Sequence, residues 1–256
     1  MTEADVRKRG FSLLELMITL GVLTIVATVA VPKVQVWNAR NRGLKTVMEL
    51  VSDFSKAKSV AGYTVAVDTD NGKIEIPVNI DDDGSGSDKM PVYMGIRRQT
   101  AIMLRRTEYA IYQKDSMTET WDGDATVRLL KKNVLMNTVT IEKVNGNPTP
   151  ESTTSFSNSG RFSFTSTGKL KYGSSGALVP AGQGGEGKCG DSDRYLPNVI
   201  FSAIIRSKIS KSGNDSIWYR LDIDQRGEYL ICSVFTDTDS VDYGYFSGNG
   251  SMLLDI

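Results

Sequence analysis

The sequence contains no histidine, only two cysteines, and no surplus of either charge. Lack of histidine removes the commonest general base and the commonest transition-metal ligand. Two thiols without histidine make a poor zinc site. An even, low cysteine count in an exported domain reads instead as one disulfide, Cys189 with Cys232. Basic and acidic residues balance at 30 each, which excludes a global signal for polyanion binding. The 256 residues can hold one membrane helix and one sizeable globular domain.

What the chain does have stands at its start. Arg7, Lys8 and Arg9 lead into Gly10, and an apolar run follows over residues 11–31, broken by Glu15 and a few small or hydroxyl residues. At about 1.5 Å per residue this run makes a helix of roughly 32 Å, enough to cross a bilayer. A carboxylate in such a helix costs roughly 2.5–3.5 kcal/mol at mid-membrane and less near an interface, so Glu15 needs a partner. A secretory signal peptide could use Thr28-Val29-Ala30 as its cleavage site. That reading leaves Gly10-Phe11 and Glu15 without a reason, and a plain signal anchor leaves Glu15 without one. Charge counting does not orient the span. Arg7, Lys8 and Arg9 precede it, but Lys33, Arg40, Arg42 and Lys45 follow it.

Gly10-Phe11-Ser12-Leu13-Leu14-Glu15 resembles the processing site of type IV prepilins and type II secretion pseudopilins. The resemblance implies cleavage after Gly10 by a prepilin peptidase and N-methylation of Phe11. It implies that Glu15 pairs with the N-terminal amine of a neighbouring subunit. It also places the span in the inner membrane with its N-terminus inside, and the head in the periplasm or, after assembly, on the cell surface. Other pilin or pseudopilin subunits and an inner-membrane assembly platform are the implied partners. Pro32 falls where many members carry a helix-breaking proline, and the presence of Glu15 argues against the tip-most pseudopilin class. With residues 1–10 removed, 27 basic and 28 acidic residues remain, so the mature chain stays near neutral.

Beyond the span the helical period continues. Leu44, Val47, Met48, Val51, Phe54 and Ala57 form an apolar stripe, with Lys45, Glu49, Asp53 and Lys56 on the other side and Gly62 as the stop. One helix over residues 11–61, bent near Pro32, is the expectation. The chain then divides into a leader (1–10), a transmembrane and assembly helix (11–31), its amphipathic continuation (32–62) and a β-rich head (63–256). In the head, residues 63–67 and 73–78 read as a hairpin around Asp70-Asn71-Gly72. Further strands are expected at 96–104, 109–113, 125–130 and 134–144. A second hairpin spans 161–165 and 169–172, and strands 199–206, 217–223 and 228–234 follow, the last two joined tightly at 225–227. Residues 173–190 are glycine-rich and read as irregular, and the tail from residue 243 reads as a last strand. The fold class is α+β, a long N-terminal helix packed on an antiparallel sheet head. The hairpin rhythm resembles GspH/FimT-type pilins. The head is long for that type, so residues 79–125 read as an insertion.

Several strings imitate enzyme motifs. Residues 182–189 nearly spell a phosphate-binding loop, but Cys189 stands where Ser or Thr would hold Mg²⁺ and no helix follows. Two SxxK strings, at Ser55 and Ser166, lack any companion motif. No enzyme is expected. Asn79, Asp81, Asp83 and Ser87, with Gly84 between, follow the opening of an EF-hand loop, and Asp88 could add an oxygen. Met90 replaces the bidentate glutamate, so calcium here would bind at about 10⁻⁴–10⁻³ M, and a metal-free acidic turn is the alternative. Arg97, Arg98, Arg105 and Arg106, near Tyr109 and Tyr112, could serve nucleic acid as in a competence pilin. Neighbouring arginines on a strand face opposite ways, which favours a solvated strand over a patch.

Overall fold

A computed structural model of the chain describes residues 12–61, 64–65, 73–77, 89–93, 96–115, 121, 127–145, 147–151, 161–164, 170–172, 187–190, 195–210, 213–224, 226–247 and 252–253. Helix α1 runs from Leu13 to Ala61 without interruption through Pro32. The chain then forms β1 (Thr64–Val65), β2 (Lys73–Pro77), β3 (Lys89–Tyr93), β4 (Ile96–Leu104), β5 (Glu108–Asp115), β6 (Arg128–Val134), β7 (Val139–Val144) and β8 (Asn147–Pro148). There follow β9 (Arg161–Phe164), β10 (Leu170–Tyr172), β11 (Gly187–Lys188), β12 (Tyr195–Leu196), β13 (Val199–Lys208), β14 (Ser216–Asp224) and β15 (Tyr229–Thr236). A 3₁₀ turn over Tyr243–Ser247 precedes β16 (Met252–Leu253).

The α+β class holds, with one long helix and antiparallel sheets. The first large sheet has the order β10-β9-β4-β5-β6, with β1 also on β4, and the second has the order β16-β15-β14-β13-β7-β8. Two expectations fail here. Among the described residues, the expected hairpin of 63–67 with 73–78 is not seen: Thr64 and Val65 lie opposite Arg97 and Ile96, while β2 pairs with β3. Nor is 79–125 an insertion, because β4 and β5 are central strands of the first sheet, with Ala101, Ile102 and Leu104 fully buried. The expected strand over 134–144 is two strands in two sheets. Between them, Val139 donates to the Met136 carbonyl in a turn and Leu135 drops into the core, so the chain changes sheet at that point. The hairpins at 161–172 and 225–227 form as expected. At the second, the Asp224 carboxylate accepts the Arg226 and Glu228 N–H groups at 2.8 Å each, and Gly227 takes a positive φ of 91°.

The second half of α1 packs across both sheets. Phe54 sits between them, its ring centroid 4.4 Å from Phe201 of the second sheet and 6.0 Å from Phe162 and Phe164 of the first. The buried seam is rotated from the expected stripe. It runs through Ala39, Gly43, Val47, Leu50, Phe54, Ala57 and Ala61, and Leu44, Met48 and Val51 only flank it. Strand β14 is buried along its whole length. Ile217, Tyr219, Leu221 and Ile223 face the helix, whereas Trp218 faces a second cluster with Cys189, Leu196, Cys232, Val241 and Phe246. The head is therefore layered as helix, sheet and a cover behind the sheet.

The disulfide between Cys189 and Cys232 closes that cover, with Cα atoms 5.5 Å apart. It closes a loop of 43 residues, for which chain entropy gives at most roughly 4 kcal/mol. Beside it, Arg220 donates to the Lys188 carbonyl at 2.6 Å and to the Tyr243 carbonyl at 3.0 Å. Its Nε pairs with Asp222, whose carboxyl burial pushes upward against the pull of Arg220 and Ser202.

Gly43 marks the closest approach of helix to sheet. A Cβ there would collide with the ring of Tyr219, which is fully buried and tethered by its hydroxyl to the Arg40 carbonyl at 2.8 Å. On an exposed helix, Gly→Ala would stabilise by about 1 kcal/mol. Here Gly43→Ala is expected to destabilise by about 1–3 kcal/mol, because the core is overpacked. Thermal melting of the full chain in detergent reads the sign.

Candidate functional site

The first half of α1 is the part of the molecule that its own head leaves bare. Every residue from Leu13 to Asn38 is exposed, and burial begins at Ala39. From Leu16 to Val31 the helix carries no charge on any side, and α1 is long and apolar enough to cross a membrane. Its few hydroxyls are returned to the backbone: Thr19 donates to the Leu16 carbonyl, Thr24 to Leu20 and Thr28 to Ile25, at 2.7–2.9 Å. The segment can thus enter an apolar surrounding with few polar groups unmet.

Ser12 starts this helix. Its hydroxyl accepts the Leu14 N–H at 3.3 Å and its carbonyl accepts the Leu16 N–H at 3.1 Å. Glu15 follows three residues later, exposed in the first turn. The unpaired N–H groups of a helix start favour a carboxylate at that position. The sequence therefore gives Glu15 two possible partners, its own helix terminus and a neighbour's ammonium. Gly10 and Phe11 lie outside the described residues.

Where α1 enters the head, side chains of the second sheet hold its backbone. Ser207 donates to the Ala39 carbonyl at 2.7 Å, Tyr219 to the Arg40 carbonyl, and Arg42 in turn donates to the Lys208 carbonyl at 3.3 Å. The first sheet grips the helix with charge. Asp53 was expected on the polar side of α1, but it is only 1 % exposed and lies in the seam. It accepts the Tyr109 hydroxyl at 2.6 Å and Lys131 at 2.6 and 2.9 Å, while Asn133 bridges Tyr109 and Glu49. Burial and the Asp53 carboxylate push the Tyr109 hydroxyl well above its ordinary range. Hydrophobic periodicity cannot find such a residue, since its partners arrive from strands about 56 and 78 positions away.

The other predicted sites are scattered. Asn79, Asp81, Asp83, Ser87 and Asp88 lie outside the described residues. Arg97 and Arg98 sit on the first half of β4, and Arg105 and Arg106 follow its other end. Eight residues of strand, about 26 Å, separate Arg97 from Arg105. Arg105 pairs with Glu108, whose carboxyl Lys132 and Arg105 hold below the usual carboxylate range. Arg106 pairs with Glu142 at 3.3 Å and Glu151 at 2.8 Å, and Glu142 raises its pKa. Along the backbone the two arginine pairs stand toward opposite ends of β4.

Comparison with known proteins bears on the uncovered end of the helix. Residues 6–31 match the description of the prokaryotic N-terminal methylation motif. This chain carries a type IV pilin-like prepilin motif. The match takes in Gly10, Phe11, Glu15 and the span, and leaves the head outside it. The motif marks structural pilin-type proteins, which are not enzymes, and implies contact with prepilin peptidase and other pilin subunits. No curated protein and no solved structure matches the chain.

The Asp53 network yields a test of how the head grips the helix behind the motif. Asp53→Ala leaves Tyr109 and Lys131 without their acceptor. Lys131 is 45 % exposed and can turn to water, so the expected loss is about 1–3 kcal/mol, mostly from the buried Tyr109 hydroxyl. Tyr109→Phe in the same chain should recover part of that loss, and a double-mutant cycle on thermal melting measures it.

Proposed function

We propose that this protein is a structural subunit of a type IV pilus or type II secretion pseudopilus. The prepilin peptidase cuts between Gly10 and Phe11, Phe11 is N-methylated, and the single span holds the subunit in the inner membrane with its head on the far side. An assembly platform then lifts the subunit into a helical filament. One observation carries this reading: α1 continues unbroken from a segment bearing the methylation motif, exposed on every side, into one that the head covers. A soluble protein does not leave such an apolar length in water. Lipid covers it before assembly, and the same segments of neighbouring subunits cover it afterwards. Between helices in an apolar surrounding, packing and polar contacts decide association, since lipid tails are as apolar as leucine. Glu15, satisfied by a neighbour's Phe11 ammonium, supplies the polar contact.

Mass spectrometry of the protein from its native membrane is expected to show a chain beginning at N-methylated Phe11. A chain beginning at Met1 or after Ala30 would end this reading. Glu15 is tested by two substitutions. Glu15→Gln keeps a side chain that can cap its own helix start but removes the charge, and Glu15→Val removes both. If the partner is a neighbour's amine, both variants insert normally and both fail to enter filaments, read by shearing filaments from cells. Filament entry by Glu15→Gln at the normal level would assign Glu15 to helix capping alone.

A further inference from the structure

The neck between span and head carries only cations, whereas the helix beyond it carries charges of both signs. Between Glu15 and Glu49 the sequence holds Lys33, Arg40, Arg42 and Lys45 and no carboxylate. Lys33, Trp37 and Arg40 are exposed, and Trp37 leaves 63 % of its surface free. Arg42 reaches the Lys208 carbonyl at the end of β13, and the Lys208 N–H donates to the Thr138 carbonyl at 2.8 Å. The end of the head nearest the span therefore adds Lys208 to the neck. Of the carboxylates on that side, Glu142 and Glu151 pair with Arg106, Glu49 with Lys45 and Asp239 with Arg206, while Asp215 and Asp237 stand exposed.

The spacing of these groups follows the layers of a bilayer. Measured along the helix from Leu13, Lys33 lies at about 30 Å, Trp37 at about 36 Å, and Arg40 and Arg42 at roughly 40 and 44 Å. A hydrocarbon core is about 30 Å thick, and about 40–45 Å with its headgroups. Lys33 thus meets the edge of the hydrocarbon, where a long cation can turn its ammonium outward. Trp37 falls among the headgroups, the layer that suits an amphipathic ring. The far headgroup layer adds only about 5–8 Å to the core, so Arg40, Arg42 and Lys208 stand a few ångströms outside it, where long side chains still reach the phosphates. Cations on the exported side run against the positive-inside tendency, so their concentration on the neck calls for a compensating attraction.

We propose that the neck and the adjoining base of the head form a docking surface for anionic phospholipid headgroups, seating the head on the membrane before assembly. The proposal rests on the reading of residues 11–31 as a bilayer span. The occupant is the anionic leaflet itself: charge complementarity and the match of axial positions to the interface select it.

The test uses the full chain in vesicles of phosphatidylcholine alone or with phosphatidylglycerol. Hydrogen exchange in the connection between β13 and β14 should slow several-fold on the anionic vesicles relative to the neutral ones. The difference should vanish at about 1 M salt, where the Debye length is roughly 3 Å. Lys33→Gln, Arg40→Gln and Lys208→Gln together should abolish it, each cation contributing about fivefold in surface affinity. Lipids brominated high on the acyl chain should quench the wild type more than Trp37→Phe. Equal exchange on the two vesicle types, or an unchanged difference in the triple variant, overturns the docking surface. Equal quenching of wild type and Trp37→Phe overturns the assigned depth. A chain that an alkaline wash strips from the vesicles sinks the span reading and the docking surface with it. A chain that stays inserted but ignores lipid charge sinks the docking surface alone.

Discussion

The molecule is organised around one helix that runs, through Pro32, from a segment the head leaves exposed into one it encloses. Within the uncovered stretch the helix satisfies most of its own backbone, Pro32 leaving the Thr28 carbonyl without its helical donor, and returns three threonine hydroxyls to it, so it can sit in lipid. Within the covered stretch the same geometry is gripped from two sides. The second sheet approaches so closely at Tyr219 that only glycine fits at position 43, and the first sheet brings Tyr109 and Lys131 to a carboxylate inside the seam. Phe54 joins the two grips by filling the space between Phe162, Phe164 and Phe201.

This division of labour explains the head's construction. Both sheets must present an apolar face to one helix, and neither can cover it alone. The switch of the chain from β6 to β7 at residues 135–138 locks the sheets to each other through Leu135. The second sheet is then sealed on its far face by a cover held with the disulfide and with Arg220, which reaches carbonyls on both sides of that cover. The tie and the brace meet at one point, because Arg220 lies opposite Cys232 in the strand register.

The functional end was the most legible part of the sequence. A glycine, an immediate apolar run and a lone glutamate have few physical explanations, and the match over residues 6–31 falls on the same residues. The helix, the long strands of the second sheet, two hairpins and the disulfide also follow from local pattern and composition. What escaped was set by distant partners. Nothing near residue 53 announces that an aspartate will be buried, because its counter-charge and donor come from β5 and β6. The run over 134–144 looks like one strand because both pieces are apolar and β-prone. Only the three-dimensional need to cover one helix with two sheets splits it. The Asp70-Asn71-Gly72 signal suggested a hairpin, yet β1 found its partner in β4. The four arginines illustrate the limit of sequence clustering, since proximity along a strand spreads charge over tens of ångströms.

The disulfide and the helix entry lie on opposite faces of the second sheet. Ser207 and Tyr219 point toward α1 at its entry, whereas Cys232 points into the cover behind. In a filament whose subunits are joined through their helices, tension along the axis runs from helix to helix, and a head is loaded only through the contacts that begin at Ala39. The covalent tie therefore stands outside the path of the force. In such a filament it would keep the cover closed while the helix is pulled, and the head would ride as cargo, free to vary without weakening the cable beneath it.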